Sequence, residues 1–259
     1  MPRSLLSMTW RDVFFAHWPV DPETVAATLP PGLSVDTDEE GRAWLSVVGF
    51  VMDDIAPRFS PVGLSFPELN LRTYVERDGA PGIYFYNLDA DDRLGVPVAR
   101  SLFQLPYYRA EIDVEERGGA IEFRSERTHS GVPPARFDAT ITPRGDPVST
   151  GADREAQASR APPDGRAGAK RHASREALPG GDRAPARFLV ERYRFYASGD
   201  DGTLYYGDIK HEPWELQAAD FDVRRNDLFA AAGFDEPAGE PVVHYSRSLP
   251  VTAGRIRRV

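Results

Sequence analysis

The stretch FPELNLRTYV, Phe66 to Val75, alternates with a period of two. Successive side chains of a strand face opposite sides of its sheet. Pro67, Leu69, Leu71, Thr73 and Val75 therefore share one face, and Glu68, Asn70, Arg72 and Tyr74 the other. An acid, an amide, a guanidinium and a phenol together either meet bulk water or line an interior. The pattern alone favours the wet face, since antiparallel sheets with one solvated side are common.

Working outward, segments rich in aromatic and β-branched residues and bounded by turn residues predict strands at Ala43–Met52, Glu68–Glu76, Gly82–Leu88, Tyr107–Glu115, Ala120–Arg127, Phe137–Thr142, Phe188–Ala197, Leu204–His211, Phe221–Arg225 and Val242–Leu249. Helix signals are few. Asp21 is a good N-cap with Pro22 behind it, and the helix stops at Pro30-Pro31-Gly32. VPVARSLFQLP, ending at Pro106, and NDLFAAAG, from Asn226 to Gly233, give two more short helices. The expected architecture is a mainly β (α+β) barrel or sandwich with short helices outside.

The chain has 259 residues, 41% of them apolar, enough for a sizeable core, and reads as a single domain over 1–259. One insertion is expected within it. Residues 144–187 hold scarcely any large apolar side chain and are rich in Ala, Gly, Pro and charge, which predicts a disordered loop.

A net charge of −9 argues against a general nucleic-acid grip. No apolar run reaches membrane-spanning length and the start does not resemble a signal peptide, so the expected location is cytoplasmic, away from membranes. The chain has no cysteine, which removes thiol catalysis and disulfides. Only Lys170 and Lys210 are lysines. Acidity with so little lysine fits adaptation to salt or a GC-rich genome equally.

Several chemical motifs fail on inspection. HEPWE has Glu215 where a zinc-protease helix needs its second His, and Pro213 would break that helix. GLSFP lacks the last glycine of a nucleophile elbow, and no phosphate-cradling glycine loop follows a strand. No metal and no cofactor is expected. RYRFY reads as a strand with arginines outside and rings inside. His17 and His244 sit in aromatic, strand-like segments, where a polar ring must find a partner.

Taken together, MTWRDVFFAHWPVDPETVAATLPPGLSVD, GRAWLSVVGFVM, FPELNLRTYVERDGAPGIYFYNLDAD, VARSLFQLPYYRAEI, YYGDIKHEPWEL and GEPVVHYSRSLPV resemble the YqjF-like family, a domain of unknown function. A second resemblance is to acetoacetate decarboxylase, whose superfamily fold is a cone-like antiparallel β-barrel around a pocket. DPETVAATLPPGLSVD is similar to that enzyme's helix, paired-proline turn and strand, and LGVPVARSLFQLPYYRAE to the segment ending in Pro-Lys-Lys that supplies the Schiff-base lysine. Here Pro106 remains, and Tyr107 and Tyr108 stand in the lysine positions.

This resemblance turns the Glu68 face inward, with Leu69, Leu71 and Val75 under helices, and puts Arg11 and Glu68 at the enzyme's site arginine and glutamate. The expected ligand is a small carbonyl- or carboxylate-bearing molecule, bound or transformed without a Schiff base, because a phenol forms no imine. Glu68 would be the acid or base, with Tyr107 as hydrogen-bond donor or as a general acid beside Arg109. Arg11 would pair with an anion, and Asn70, Arg72, His17, His211 and His244 would complete the ligand-binding set. Tyr108, on the face of Ala110 and Ile112, is expected to fill the interior. The rival readings are a lysine-dependent enzyme using Lys210 and a non-catalytic carrier or structural module; the oligomeric state stays open.

Overall fold

The computed structural model describes residues 5–57, 60–91, 104–151, 186–199 and 201–259. Among the described residues, thirteen strands and three short helices follow one another as β1 (Leu6–Val20), α1 (Pro22–Ala26), β2 (Ser34–Val35), β3 (Ala43–Pro57), β4 (Leu64–Arg77), β5 (Ala80–Ala90), β6 (Tyr107–Arg117), β7 (Ala120–Arg127), β8 (Arg136–Ser149), α2 (Ala186–Val190), β9 (Arg194–Ser198), β10 (Leu204–His211), β11 (Glu215–Asn226), α3 (Leu228–Ala231), β12 (Val242–Ala253) and β13 (Arg257–Arg258). The mainly β class with a few short helices is met.

Local chemistry accounts for many boundaries. Asp21 caps α1 by accepting from the Glu23 N–H at 2.8 Å, and Pro22 occupies the first turn. Asp78 and Gly79, with φ of 50° and 76°, make the tight turn between β4 and β5, a geometry suited to strand twist. Other expectations are revised. Residues 144–149, expected within a disordered loop, are strand, because β8 runs to Ser149. Phe188–Val190 is helix and not the start of a strand. Most of the helix expected near Pro106, the centre of the expected loop, Lys170 and His172 lie outside the described residues.

One sheet carries all thirteen strands in the order β13-β10-β9-β5-β6-β7-β8-β11-β12-β1-β3-β4-β2, with extra pairings β4–β5 and β10–β12. Those two pairings close the sheet into two rings that share β5, β4, β3, β1 and β12. The pairing is not wholly antiparallel: β5 runs parallel to both β6 and β9.

The shared strands thus have an interior on each side. One holds Phe15, Trp44, Val48, Phe50, Tyr74 and Trp214. The other holds Phe14, Leu45, Leu69, Leu71, Phe123 and Phe137. Leu69 and Leu71 face this second core, built largely by β6, β7 and β8, with α1 and α3 contributing Val25 and Phe229. Strands, more than the expected helices, cover them.

Candidate functional site

Between β1, β3, β4, β5 and β9 lies a cavity of about 110 Å³. At roughly 10–15 Å³ for each water-sized occupant, this is room for several heavy atoms. Its wall is mostly aromatic and aliphatic, and Glu68, Asn70 and Arg72 of β4 enter it side by side. All three are buried. The face that alternation alone would leave wet is therefore an interior, because the ring closed through β9 and β10 covers it.

Glu68 is held from two directions. Tyr107 donates from its hydroxyl to Oε2 at 2.9 Å, and Asn70 donates from Nδ2 to Oε1 at 3.2 Å. Sheet register makes this meeting possible: Leu88 of β5 stands opposite Asn70 on one side and Tyr107 on the other. Burial pushes the Glu68 carboxyl up to about 7, against the lowering effects of Tyr107, Asn70 and the Arg72 charge. Burial also drives the Tyr107 phenol well above its usual value, with the Glu68 charge adding to the effect. Tyr107 is a hydrogen-bond donor here and keeps its proton.

Arg72 lies against Phe15, its guanidinium carbon 5.5 Å from the ring centre. Nη2 donates to the Leu189 carbonyl at 3.4 Å, while Nε has no hydrogen-bond partner among the described residues. Beyond it lies a polar chain. Tyr74 gives its single proton to the Leu189 carbonyl at 2.8 Å, so its oxygen accepts from Ser46 at 2.9 Å, and Ser46 in turn accepts from His17 Nδ1 at 2.7 Å. His244 lies 5.6 Å from His17, ring to ring. Burial, then the neighbouring His244 and Arg72 charges, push His17 well below the usual imidazole value, and burial brings His244 down to about 4. Both are neutral near pH 7, behind the cavity wall.

Two expected residues lie elsewhere. The Arg11 side chain is 44% exposed and pairs with Asp53 at 3.1 Å. A bulge explains this: Asp12 has φ of 52° and the β1–β3 register shifts between Arg11 and Phe14. Leu6, Met8 and Trp10 face the cavity before the bulge, Val13 and Phe15 after it, and Arg11 is left outside. Arg109 is also exposed. Tyr108 is half-buried over Arg127, 4.7 Å from its guanidinium carbon, away from the cavity.

His211 does reach the cavity. Its Nδ1 lies 2.7 Å from the Glu212 carbonyl, which can only accept, so Nδ1 carries the proton and Nε2 is the lone-pair nitrogen. Lys210, between the cavity-lining Ile209 and His211, is exposed on the opposite face of β10. Sequence reasoning placed the arginines of RYRFY outside, but Arg192 and Arg194 line the cavity, paired with Asp36 at 2.5 Å and Asp208 at 2.8 Å. Trp214 lines it too and donates to the Val190 carbonyl at 3.0 Å.

Among the described residues, no helix is long and apolar enough to cross a membrane. The DUF2071 family model, described as an uncharacterized conserved protein, matches residues 7–250. The uncharacterized protein YqjF of Bacillus subtilis (strain 168) is 36% identical over 257 residues, 98% of this chain and 92% of its own. Among solved structures, an acetoacetate decarboxylase superposes with a TM-score of 0.63 at 14% identity, covering 100% of this chain and 90% of that one. The enduracididine biosynthesis enzyme MppR, complexed with the condensation product of pyruvate and imidazole 4-carboxaldehyde, superposes at 0.61 and 15% identity over 100% and 90% of the two chains. At such identities these likenesses concern the fold alone. The family match spans nearly all the described strands, and by it this chain belongs to the DUF2071, YqjF-like family.

Proposed function

We propose that the chain is a small-molecule pocket protein that binds or transforms a carbonyl- or carboxylate-bearing ligand, with Glu68 as its proton-carrying group and without covalent lysine chemistry. The observation that carries this reading is the Glu68 carboxyl, buried at the cavity wall and raised to about 7 while Tyr107 and Asn70 hold both its oxygens. A carboxyl poised near neutrality can give a proton to a carbonyl-type oxygen or take one from its neighbour. Tyr107 and Asn70 fix its orientation, and Arg72 supplies a positive charge on the same face. Arg11 and Arg109 have no part in this reading, and His17 and His244 stand behind it as structural groups. The MppR complex, a fold neighbour that carries a condensation product of pyruvate, is consistent with it.

Native mass spectrometry of the purified protein tests the reading without a guess at the reaction. A co-purified small molecule retained by wild type and lost in Glu68→Gln is the expected result. Retention of the same molecule by Glu68→Gln would remove Glu68 from the site. The lysine alternative has its own test, since borohydride traps an imine as a secondary amine on the lysine. Lys210 is exposed and faces away from the cavity, so no substrate-dependent adduct is expected there.

A further inference from the structure

Arg72 differs from the other arginines around the interiors. Arg127, with 1% of its side chain exposed, makes a two-pronged pair with Asp89 at 2.7 and 2.9 Å. Arg192 has Asp36 and Arg194 has Asp208. Arg72 is equally sequestered and has no carboxylate within salt-bridge distance among the described residues. Glu68, on the same strand face, feels the Arg72 charge but is not paired with it and is engaged by Tyr107 and Asn70. A guanidinium offers five N–H donors in a planar fork suited to a carboxylate, and burying one uncompensated costs stability.

The remaining wall favours a flat apolar body. Trp10 lies 5.2 Å from Phe50 and 6.0 Å from Trp214, the second pair inclined by only 24°, and Phe15 meets Trp214 edge-on at 5.0 Å. Offset and edge-to-face contacts of this kind favour a further ring over an aliphatic chain of equal area. Trp10 Nε1, buried and without a hydrogen-bond partner among the described residues, adds an idle donor to that wall.

We propose that the cavity takes an aromatic monocarboxylate, with its carboxylate on the Arg72 fork and its ring among Phe15, Trp10, Phe50 and Trp214. This rests on the pocket reading above and narrows it to a ligand class. It carries a proton consequence. The charged and titratable groups toward the cavity are Arg72, Glu68, Tyr107, His211, Arg192 and Arg194, with Asp89 felt by Glu68 from β5. Arg192 and Arg194 are already neutralised, so an entering carboxylate shares one positive charge with Glu68. Two anions in one apolar site repel, and binding therefore takes up a proton on Glu68 as pH rises past 7.

Calorimetric titration of the full chain with phenylacetate, phenylacetamide, acetate and phenylacetone tests the assignment. Phenylacetate is expected to bind at least tenfold more tightly than the amide or acetate, with proton uptake at pH 7.5 seen as a buffer-dependent heat. Arg72→Met should remove at least tenfold of the phenylacetate affinity and leave the amide unchanged, while Arg72→Lys keeps part of it. Because Arg72→Met replaces an uncompensated charge with an apolar chain, its melting temperature should hold or rise, and Arg72→Lys serves if it does not fold. Equal affinity for acid and amide, unchanged acid binding in Arg72→Met, or no binding of phenylacetate would each overturn the inference. Phenylacetone binding that is lost in Glu68→Gln alongside any of these would leave the pocket reading standing and only its narrowing refuted.

Discussion

The two sides of β4 are built for different ends. On one, Leu69 and Leu71 meet Phe14, Phe123 and Phe137, whose rings lie 5.3 to 6.1 Å apart in a packed cluster. On the other, Glu68, Asn70 and Arg72 border a cavity and leave Asn70 Oδ1 and Arg72 Nε without partners among the described residues. Close packing stabilises, whereas buried polar atoms without partners cost stability. Alternate residues of one strand thus let the solid core offset what the cavity side costs.

The largest expected effect tests the solid side. Phe123→Ala should lower stability by about 3–5 kcal/mol, read from urea denaturation, because it opens a cavity among rings that cannot close over it. Ligand binding per folded molecule should be unchanged. A loss below ~1 kcal/mol would show that the second core is loosely packed and the contrast between the sides is false.

The next tests the cavity side through pH. Glu68 keeps in the folded state a proton that the unfolded chain loses near 4.5, so its stabilising contribution is present below 4.5 and is lost as pH rises through about 7. Above that pH the wild type bears a penalty of roughly 3 kcal/mol at ~1.4 kcal/mol per pH unit. Glu68→Gln should therefore be more stable than wild type at pH 8 by up to about that amount, with the gain fading toward pH 4.5. A difference that stays constant with pH would contradict the buried carboxyl.

The histidines on the same side respond with the opposite sign. His244 is near 4 in the folded protein against 6.5 when exposed, so its contribution is present above 6.5 and is lost as pH falls toward 4. His244→Phe should reduce the stability lost between pH 7 and 5 by roughly 2 kcal/mol. An unchanged acid limb would mean that His244 reaches solvent. The smallest effect is that of Tyr107→Phe, which removes a donor from the Glu68 carboxylate and should move the Glu68 transition upward by on the order of one pH unit. A downward movement would mean that Tyr107 accepts from Glu68.

Much of the fold could be read directly. The bounds of β7 and β10, the Asp21 cap and the Leu69 and Leu71 stripe depend on local propensity and unbroken alternation, which any window of sequence displays. Glu68, Asn70 and Arg72 were legible as one face, but its inward direction came only with the family resemblance. What escaped depends on departures from period two. β1 was missing from the expected strands because its cavity-facing residues change parity at Asp12, and the same bulge turned Arg11 outward. Arg192 and Arg194 were placed outside because charge in a strand usually meets water, and their carboxylate partners, Asp36 and Asp208, are set by tertiary contact.

The wall between the two interiors also has a temporal meaning. β1 pairs with β12, Leu6 opposite Ala253 and His17 opposite Val242, so one of the strands both interiors share is fixed to another made more than two hundred residues later. Loop-closure entropy must be met before so distant a pairing is rewarded, and folds dominated by such pairings form slowly. During synthesis the hairpin of β3 and β4 can present the Glu68 face early, but that face stays wet until β12 arrives. A nascent chain stalled before residue 242 should accordingly hold local hairpins and no pocket, with Glu68 titrating as an ordinary solvated carboxylate.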